Sequence, residues 1–301
     1  MFKVGIDIGG TKIETLALST TGEELFRRRI ATPDNNYEHL LSSVSELVSF
    51  IDKSVGSDFS LGVGAPGSVS ALTGAMKNCN STCINGQYLQ RDLERRLKRP
   101  VIIANDANCF ALSESIDGSA RGESVVFGVI LGTGVGGGLV VNDHLIVGPN
   151  AIGSEWGHNL LPGIGTEFDA EERLCYCGRL NCIETYLSGP GLVKTYQKYN
   201  RKTLSAKRVV QEAAAGTVGA LQSIELYQRQ LAYGLSQVVN ILDPDVIVLG
   251  GGISNIQSTY EVVPKLWKKH IFSDTVNTRL VAAEHGDSSG VRGAVWLAKN
   301  R

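Results

Sequence analysis

The feature that most constrains this chain is an internal repeat. The stretches 4-VGIDIGGTK-12 and 128-GVILGTGVG-136 are two versions of one device: an apolar strand, a Gly-Thr turn and a second apolar strand. Each is followed by further β structure and then by βα units. In the first half the pattern predicts strands over 3–8, 13–19, 24–32 and 60–69. A helix is expected over 37–54, with Leu40, Leu41, Val44, Leu47, Val48 and Ile51 on one face, then a helix over 89–98, a buried strand over 101–105 and a helix over 106–116. In the second half it predicts two strands within 124–141, with Asn142-Asp143 as a hairpin turn, and helices over about 184–199, 206–215 and 217–242. A strand over 246–252, a helix over 258–270, a strand over 279–285 and a closing helix from 289 follow. A duplicated ββ-then-βα pattern implies an α/β fold of two similar lobes facing each other across a central cleft. The expected lobes are 1–120, with the closing helix 289–301 packing back on it, and 121–288.

The chain has 301 residues, 43% hydrophobic and 20% charged, enough to bury a sizeable core. A net charge of −1 gives no electrostatic footprint for nucleic acid or an anionic membrane. The basic run 91-RDLERRLKR-99 alternates in sign and reads as a solvated helix face. No apolar run reaches the ~18–20 residues that span a bilayer. Met1 leads straight into an apolar strand without a basic leader region, so a cytoplasmic location is expected. In that compartment the cluster Cys175, Cys177 and Cys182, within 172-ERLCYCGRLNCIE-184, suggests metal or redox chemistry rather than a disulfide. Cys79, Cys83 and Cys109 read as small core residues.

The segment 132-GTGVGGG-138 contains G-x-G-x-x-G at Gly132, Gly134 and Gly137. A dinucleotide fingerprint would need a helix directly after the glycines. The next residues, 139-LVVND-143, are a strand ending in a turn, so that reading fails. What remains is backbone N–H groups that can turn toward an anion, joined by the Thr133 hydroxyl. The same holds for 9-GGTK-12, where Lys12 adds a positive charge. One such loop alone reads equally well as a tight hairpin. Two matching loops, with 250-GGG-252 after a third strand, favour nucleotide phosphate.

Taken together and in order, 5-GIDIGGTK-12, 104-ANDANC-109, 132-GTGVGGG-138, 154-SEWGH-158, 175-CYCGRLNCIE-184 and 247-IVLGGG-252 resemble the ROK family (repressors, open reading frames and kinases) along essentially the whole chain. The resemblance implies the actin-like ATPase (ribonuclease H-like) fold and phosphotransfer from ATP to a hexose, with Mg²⁺ on the nucleotide and a structural Zn²⁺. It also implies a homodimer. The stretches 77-KNCNSTCING-86, 155-EWGHN-159 and 285-HGDSSGVRGA-294 are most similar to bacterial fructokinases of the mannokinase/fructokinase type, which makes D-fructose the expected sugar. Kinases of N-acetylglucosamine, glucose, mannose or N-acetylmannosamine are the alternatives. A sugar-sensing repressor would need an N-terminal helix-turn-helix arm, for which no room is expected before residue 2. An actin-like polymer or chaperone ATPase would leave the cysteine cluster without a role.

Carried over residue by residue, the resemblance implies Asp106 as catalytic base, and Asn105, Asp106, Glu155, His158, Glu184, Gly67 and Asn80 as sugar contacts. It places Asp7, Gly9, Gly10, Thr11, Lys12, Gly132, Thr133, Gly134, Gly136, Gly137, Gly138, Gly250, Gly251 and Gly252 around the nucleotide. His158, Cys175, Cys177 and Cys182 are the implied zinc ligands. Read from position alone, Asp106 is an ordinary first-turn or N-cap Asp. Glu155 and Glu184 alone would be surface carboxylates. Imidazole has two nitrogens, so His158 can bind a metal through one and face a hydroxyl through the other. Asn181 stands where the family usually has Gly; Asn tolerates the left-handed conformation, so the turn is expected to survive.

Overall fold

The computed structural model describes residues 2–79, 81–166, 168 and 171–297. The first sheet contains β1 (Phe2–Ile8), β2 (Lys12–Leu18), β3 (Glu24–Ala31), β4 (Phe59–Ala65) and, at its far edge, β7 (Val101–Asn105); β5 (Ser68–Val69) and β6 (Met76–Lys77) form a separate small hairpin. Its order is β3-β2-β1-β4-β7, antiparallel between β1, β2 and β3 and parallel from β1 through β4 to β7. The second sheet contains β8 (Val125–Leu131), β9 (Val135–Val141), β10 (His144–Leu145), β11 (Val246–Gly250) and β12 (Arg279–Ala282), in the order β10-β9-β8-β11-β12. Third-second-first-fourth-fifth recurs in both, so the repeat in the sequence is a repeat of topology. In each, the first strand is the buried centre: Val4, Ile6 and Ile8 of β1 and Val126, Phe127, Val129 and Leu131 of β8 are almost wholly buried.

The helices are α1 (Tyr37–Ser54), α2 (Leu89–Leu97), α3 (Asp106–Ile116), α4 (Glu184–Leu187), α5 (Gly189–Asn200), α6 (Ala206–Ala214), α7 (Val218–Leu242), α8 (Thr259–Leu266) and α9 (Ser289–Leu297). The bounds of α1 follow from its apolar stripe and from Asn36, whose side chain accepts the His39 N–H at the N-terminus. Two helices differ from the sequence expectation. The segment 184–199 is broken at Ser188, which is extended, caps α5 by accepting the Gly191 N–H and precedes Pro190 in the first turn. The segment 258–270 carries Pro264 within α8 and continues only as a 3₁₀ turn over Trp267–His270. Asn142 and Asp143 both take positive φ, as a type I′ hairpin between β9 and β10 requires.

The chain divides into two compact units. One comprises 1–121, 138–153 and 287–301; the other comprises 122–137 and 154–286. The boundary therefore falls inside β9, and 138–153 belongs with the first unit rather than with the rest of the second sheet. In the first unit α9 is tied to α3 by Ser289 Oγ donating to the buried Glu114 carboxylate and by an Arg292–Asp117 ion pair. Among the described residues no helix is long and apolar enough to cross a membrane.

Candidate functional site

In the first unit β7 meets α3 at Asn105 and Asp106. Asn105 closes the strand and caps the helix, accepting the Ala107 N–H at 2.8 Å; its Nδ2 donates to Gly67 O at 3.1 Å. Asp106 is therefore the first helical residue, and Asn105 is the cap. The Gly67 loop is held close: Gly67 has φ +76°, and a Cβ there would press on Lys77 O and lie 2.6 Å from Cys79 Sγ. One side chain thus fixes both the helix start and the loop beside it. Asn80 lies outside the described residues.

Asp106 is exposed, yet the surrounding protein removes enough water from its carboxylate to raise its pKa. Hydrogen bonds from the Ala107 N–H, its own N–H and Asn105 oppose that shift without cancelling it. Its neighbour Asp7, at the end of β1, is pushed up to about 7, first by desolvation and next by the charge of Asp106; Lys12 and Arg29 pull it down. Asp7, near the end of β1, and Asp106, at the start of α3, therefore share a field. The Gly9-Gly10-Thr11-Lys12 turn beside them is a tight hairpin, with the Gly9 N–H donating to Lys12 O at 2.9 Å. Lys12 Nζ stands 3.8 Å from Glu14, a buried carboxylate that also takes Arg27 and Arg29.

The Asp7 shift has a measurable consequence. A carboxyl whose folded pKa lies above its unfolded value destabilises the native state as pH rises between the two values, and fully above the higher one. Asp7→Asn is expected to stabilise the protein at pH 8 by about 2–4 kcal/mol at most, raising Tm by several degrees, with a much smaller gain at pH 5. Thermal melts of wild type and variant at the two pH values check this; an equal or lower Tm at pH 8 would show that burial does not burden Asp7.

In the second unit, residues 132–134 form the turn between β8 and β9, and the strand begins at Val135, so that Gly136, Gly137 and Gly138 are strand residues. Gly132, Thr133, Gly134, Gly136 and Gly137 lie here, while Gly138 falls in the first unit. Gly250 ends β11, and Gly251, with φ +85°, leads into the 3₁₀ turn at Gly252–Asn255. Glu184, first residue of α4, accepts the Val135 N–H through Oε2 at 2.9 Å, and a Cβ on Gly134 would lie 2.6 Å from that oxygen. A side chain at 134 would push Glu184 off the loop. Gly189 N–H donates to Gly132 O at 2.7 Å, so the start of α5 holds the same loop from a second point.

Glu155 and His158 flank Trp156, whose Nε1 donates to Gly136 O at 3.1 Å and whose ring meets Phe127 edge-on. His158 closes a 3₁₀ turn and directs Nδ1 at Cys175 Sγ, 3.7 Å away; Cys177 Sγ lies 3.6 Å from Cys182 Sγ. All four ligand atoms lie within 4.8 Å of one another. The edge of a tetrahedron around an ion with ~2.3 Å metal–sulfur bonds is about 3.8 Å, so this donor set fits one tetrahedral zinc. Hydrogen bonds from Arg179 draw the Cys177 thiol down to about 6, and burial pushes Cys182 up to about 12. Asn181 takes the left-handed conformation with φ +60°, and its Oδ1 accepts both the Arg173 N–H and the Tyr186 hydroxyl. The Asn in place of Gly thus preserves the turn and adds two hydrogen bonds to the loop.

One member of this cluster is not evident from the sequence. Tyr176, between Cys175 and Cys177, brings its hydroxyl to 3.0 Å from His158 Nε2, with the rings edge to face. The second imidazole nitrogen faces a hydroxyl, as expected, but the hydroxyl belongs to the protein. Burial and then the charges of Glu184, Cys175 and Glu155 push the Tyr176 phenol up to about 12.

The ROK family profile matches residues 3–301. The chain belongs to the ROK family. The N-acetyl-D-glucosamine kinase of Photobacterium profundum is 39% identical over 297 residues, covering 97% of this chain and 98% of that protein. The ROK hexokinase from Thermus thermophilus superposes with a TM-score of 0.88 at 27% identity, over 99% of this chain and 98% of that one. A ROK family glucokinase from Streptomyces griseus, solved in complex with glucose and AMPPNP, superposes with a TM-score of 0.78 at 26% identity over the whole of both chains. The twice-repeated strand order is therefore that of the actin-like ATPase fold, and this ROK protein is a sugar kinase. The finer resemblance to fructokinases gains no support from these relatives.

Proposed function

We propose that this ROK protein is an ATP-dependent N-acetyl-D-glucosamine kinase that forms the sugar 6-phosphate and ADP. The observation that carries the choice of sugar is the 39% identity, over nearly the full length of both chains, to a kinase of that sugar. D-Fructose, favoured by the local motifs, is the competing substrate.

In this reading Asp106 accepts the proton of the sugar's 6-hydroxyl as that oxygen bonds to the γ-phosphorus. The bond from the γ-phosphorus to the β,γ-bridging oxygen breaks and ADP leaves. A carboxylate with a raised pKa is a stronger base than a solvated one, and it stands on a helix start that Asn105 holds fixed. The Gly9–Lys12 turn of the first unit and the Gly132–Gly134 turn of the second offer N–H groups to phosphate, and Glu155 and Glu184 offer carboxylate oxygens to sugar hydroxyls, while both nitrogens of His158 are turned to the cysteine cluster and to Tyr176. Mg²⁺ on the nucleotide would supply charge for the transferring phosphoryl group, and Asp7 is the carboxylate beside Asp106 that would hold it. Zn²⁺ would be held by His158, Cys175, Cys177 and Cys182 and would supply a fixed crosslink, leaving the bond-making to Asp106.

A coupled assay of ADP release over a panel of hexoses and N-acetylhexosamines tests the reading. N-acetylglucosamine is expected to give the highest kcat/KM. A higher value with fructose would restore the fructokinase reading, and turnover with no sugar would remove the kinase.

A further inference from the structure

The second unit's side chains assigned so far to the sugar, Glu155 and Glu184, do not account for its 2-acetamido group. An acetamido carbonyl oxygen only accepts hydrogen bonds, so the site must present a donor to it. Within the group Glu155, His158, Tyr176 and Glu184, the two carboxylates only accept. Glu184 is in addition held through Oε2 by the Val135 N–H. His158 directs Nδ1 into the cysteine cluster, which leaves Nε2–H as its one donor, and the Tyr176 hydroxyl stands in place to accept it at 3.0 Å. A hydroxyl that accepts from imidazole still has its own O–H to give, and the accepted bond polarises it toward donation. The Tyr176 side chain is otherwise open, 79% exposed, with ring surface available to an acetamido methyl. Its backbone is fixed between two ligand cysteines, so its position is set by the same loop that sets His158.

We propose that Tyr176 is a specificity-determining residue whose hydroxyl donates to the carbonyl oxygen of the substrate's 2-acetamido group. The assignment rests on the N-acetylglucosamine reading. It gives the chain a means of telling an N-acetylhexosamine from the parent hexose, because a sugar with a bare 2-hydroxyl leaves that donor unused.

The test compares kcat/KM for N-acetylglucosamine and for glucose in wild type and in Tyr176→Phe, with zinc content measured on both proteins. An exposed hydrogen bond of this kind corresponds to about a tenfold effect. The variant is expected to lose about tenfold in kcat/KM for N-acetylglucosamine, mainly through KM, to keep its glucose value and to retain its metal. The selectivity ratio then falls about tenfold. If both sugars lose equally, or the metal is lost, Tyr176 acts only through the loop and the assignment is overturned. A wild-type preference that survives the substitution overturns it as well. Wild-type protein with no preference for the acetamido sugar removes the functional reading, and this assignment with it.

Discussion

Asp106→Asn is expected to fold like wild type and to lose about 10²–10⁴-fold in kcat, equivalent to about 3–5 kcal/mol of barrier. The fold should survive because Asn105, not Asp106, caps α3, and because an amide oxygen at 106 can still accept the Ala107 N–H. The loss should fall on kcat, since a neutral amide can still meet a sugar hydroxyl but cannot take its proton. The pH profile adds a second readout. Desolvation raises the Asp106 pKa, and Asp7 beside it sits at about 7, so the two titrate as a coupled pair. In wild type kcat/KM should rise with pH as the pair ionises, with its inflection above the ordinary carboxylate range. A variant that keeps a tenth of the wild-type kcat would remove Asp106 from the role of base.

Elements dominated by local periodicity were legible in the sequence. The six apolar positions of 37–54 are the six buried residues of α1, and the strand–helix junction at 105–106 lies where an apolar run meets Asn-Asp. The rejection of a dinucleotide fold also holds for a local reason, since a strand, β9, takes in Gly136–Gly138 where a helix would be needed. Where the reading failed, two signals competed. The apolar pattern of 184–199 runs through Ser188-Gly189-Pro190, and the cap and the proline outweighed it. The bond from Val135 N–H to Glu184 joins residues 49 positions apart, and no local pattern announces it. Tyr176 lies between Cys175 and Cys177 in the sequence, but the direction of its ring depends on His158, 18 positions earlier, and no local pattern announces that contact. The choice of sugar was the least legible part, because it depends on contacts gathered from several such separated loops while the motifs report mainly the chemistry they share.

Cys182→Ser is expected to lose the bound metal and at least 100-fold in kcat/KM for the sugar. Regular secondary structure contributes little to the loop. Among its described residues, strand-type pairing is confined to isolated bridges such as Leu160↔Cys182 and Leu174↔Leu180, beside turn bonds such as Cys175 N–H to Arg179 O, and Leu160, Leu174 and Leu180 are exposed. Three sulfurs and an imidazole gathered within 4.8 Å repel as thiolates and gain little as thiols; Cys182 in particular is buried with its pKa at about 12. An ion of charge +2 reverses that balance, because metal binding draws the protons off and becomes part of the folding free energy of the loop. Two polar side chains proposed for the sugar depend on this crosslink directly: Tyr176 stands between Cys175 and Cys177 with its hydroxyl on His158, and Glu184 follows Cys182 by two residues. The Arg173 guanidinium, bonded to Thr185 O, Gly191 O and Thr195, anchors the other side of the loop to α4 and α5, so the damage should stay local. Elemental analysis after dialysis should find about one zinc per wild-type chain and less in the variant. Hydrogen exchange should accelerate over 159–183 while α1 and α3 keep their protection. Metal-free protein that is fully folded and fully active would show that the four donors gather without an ion, and the positional role of zinc would fall.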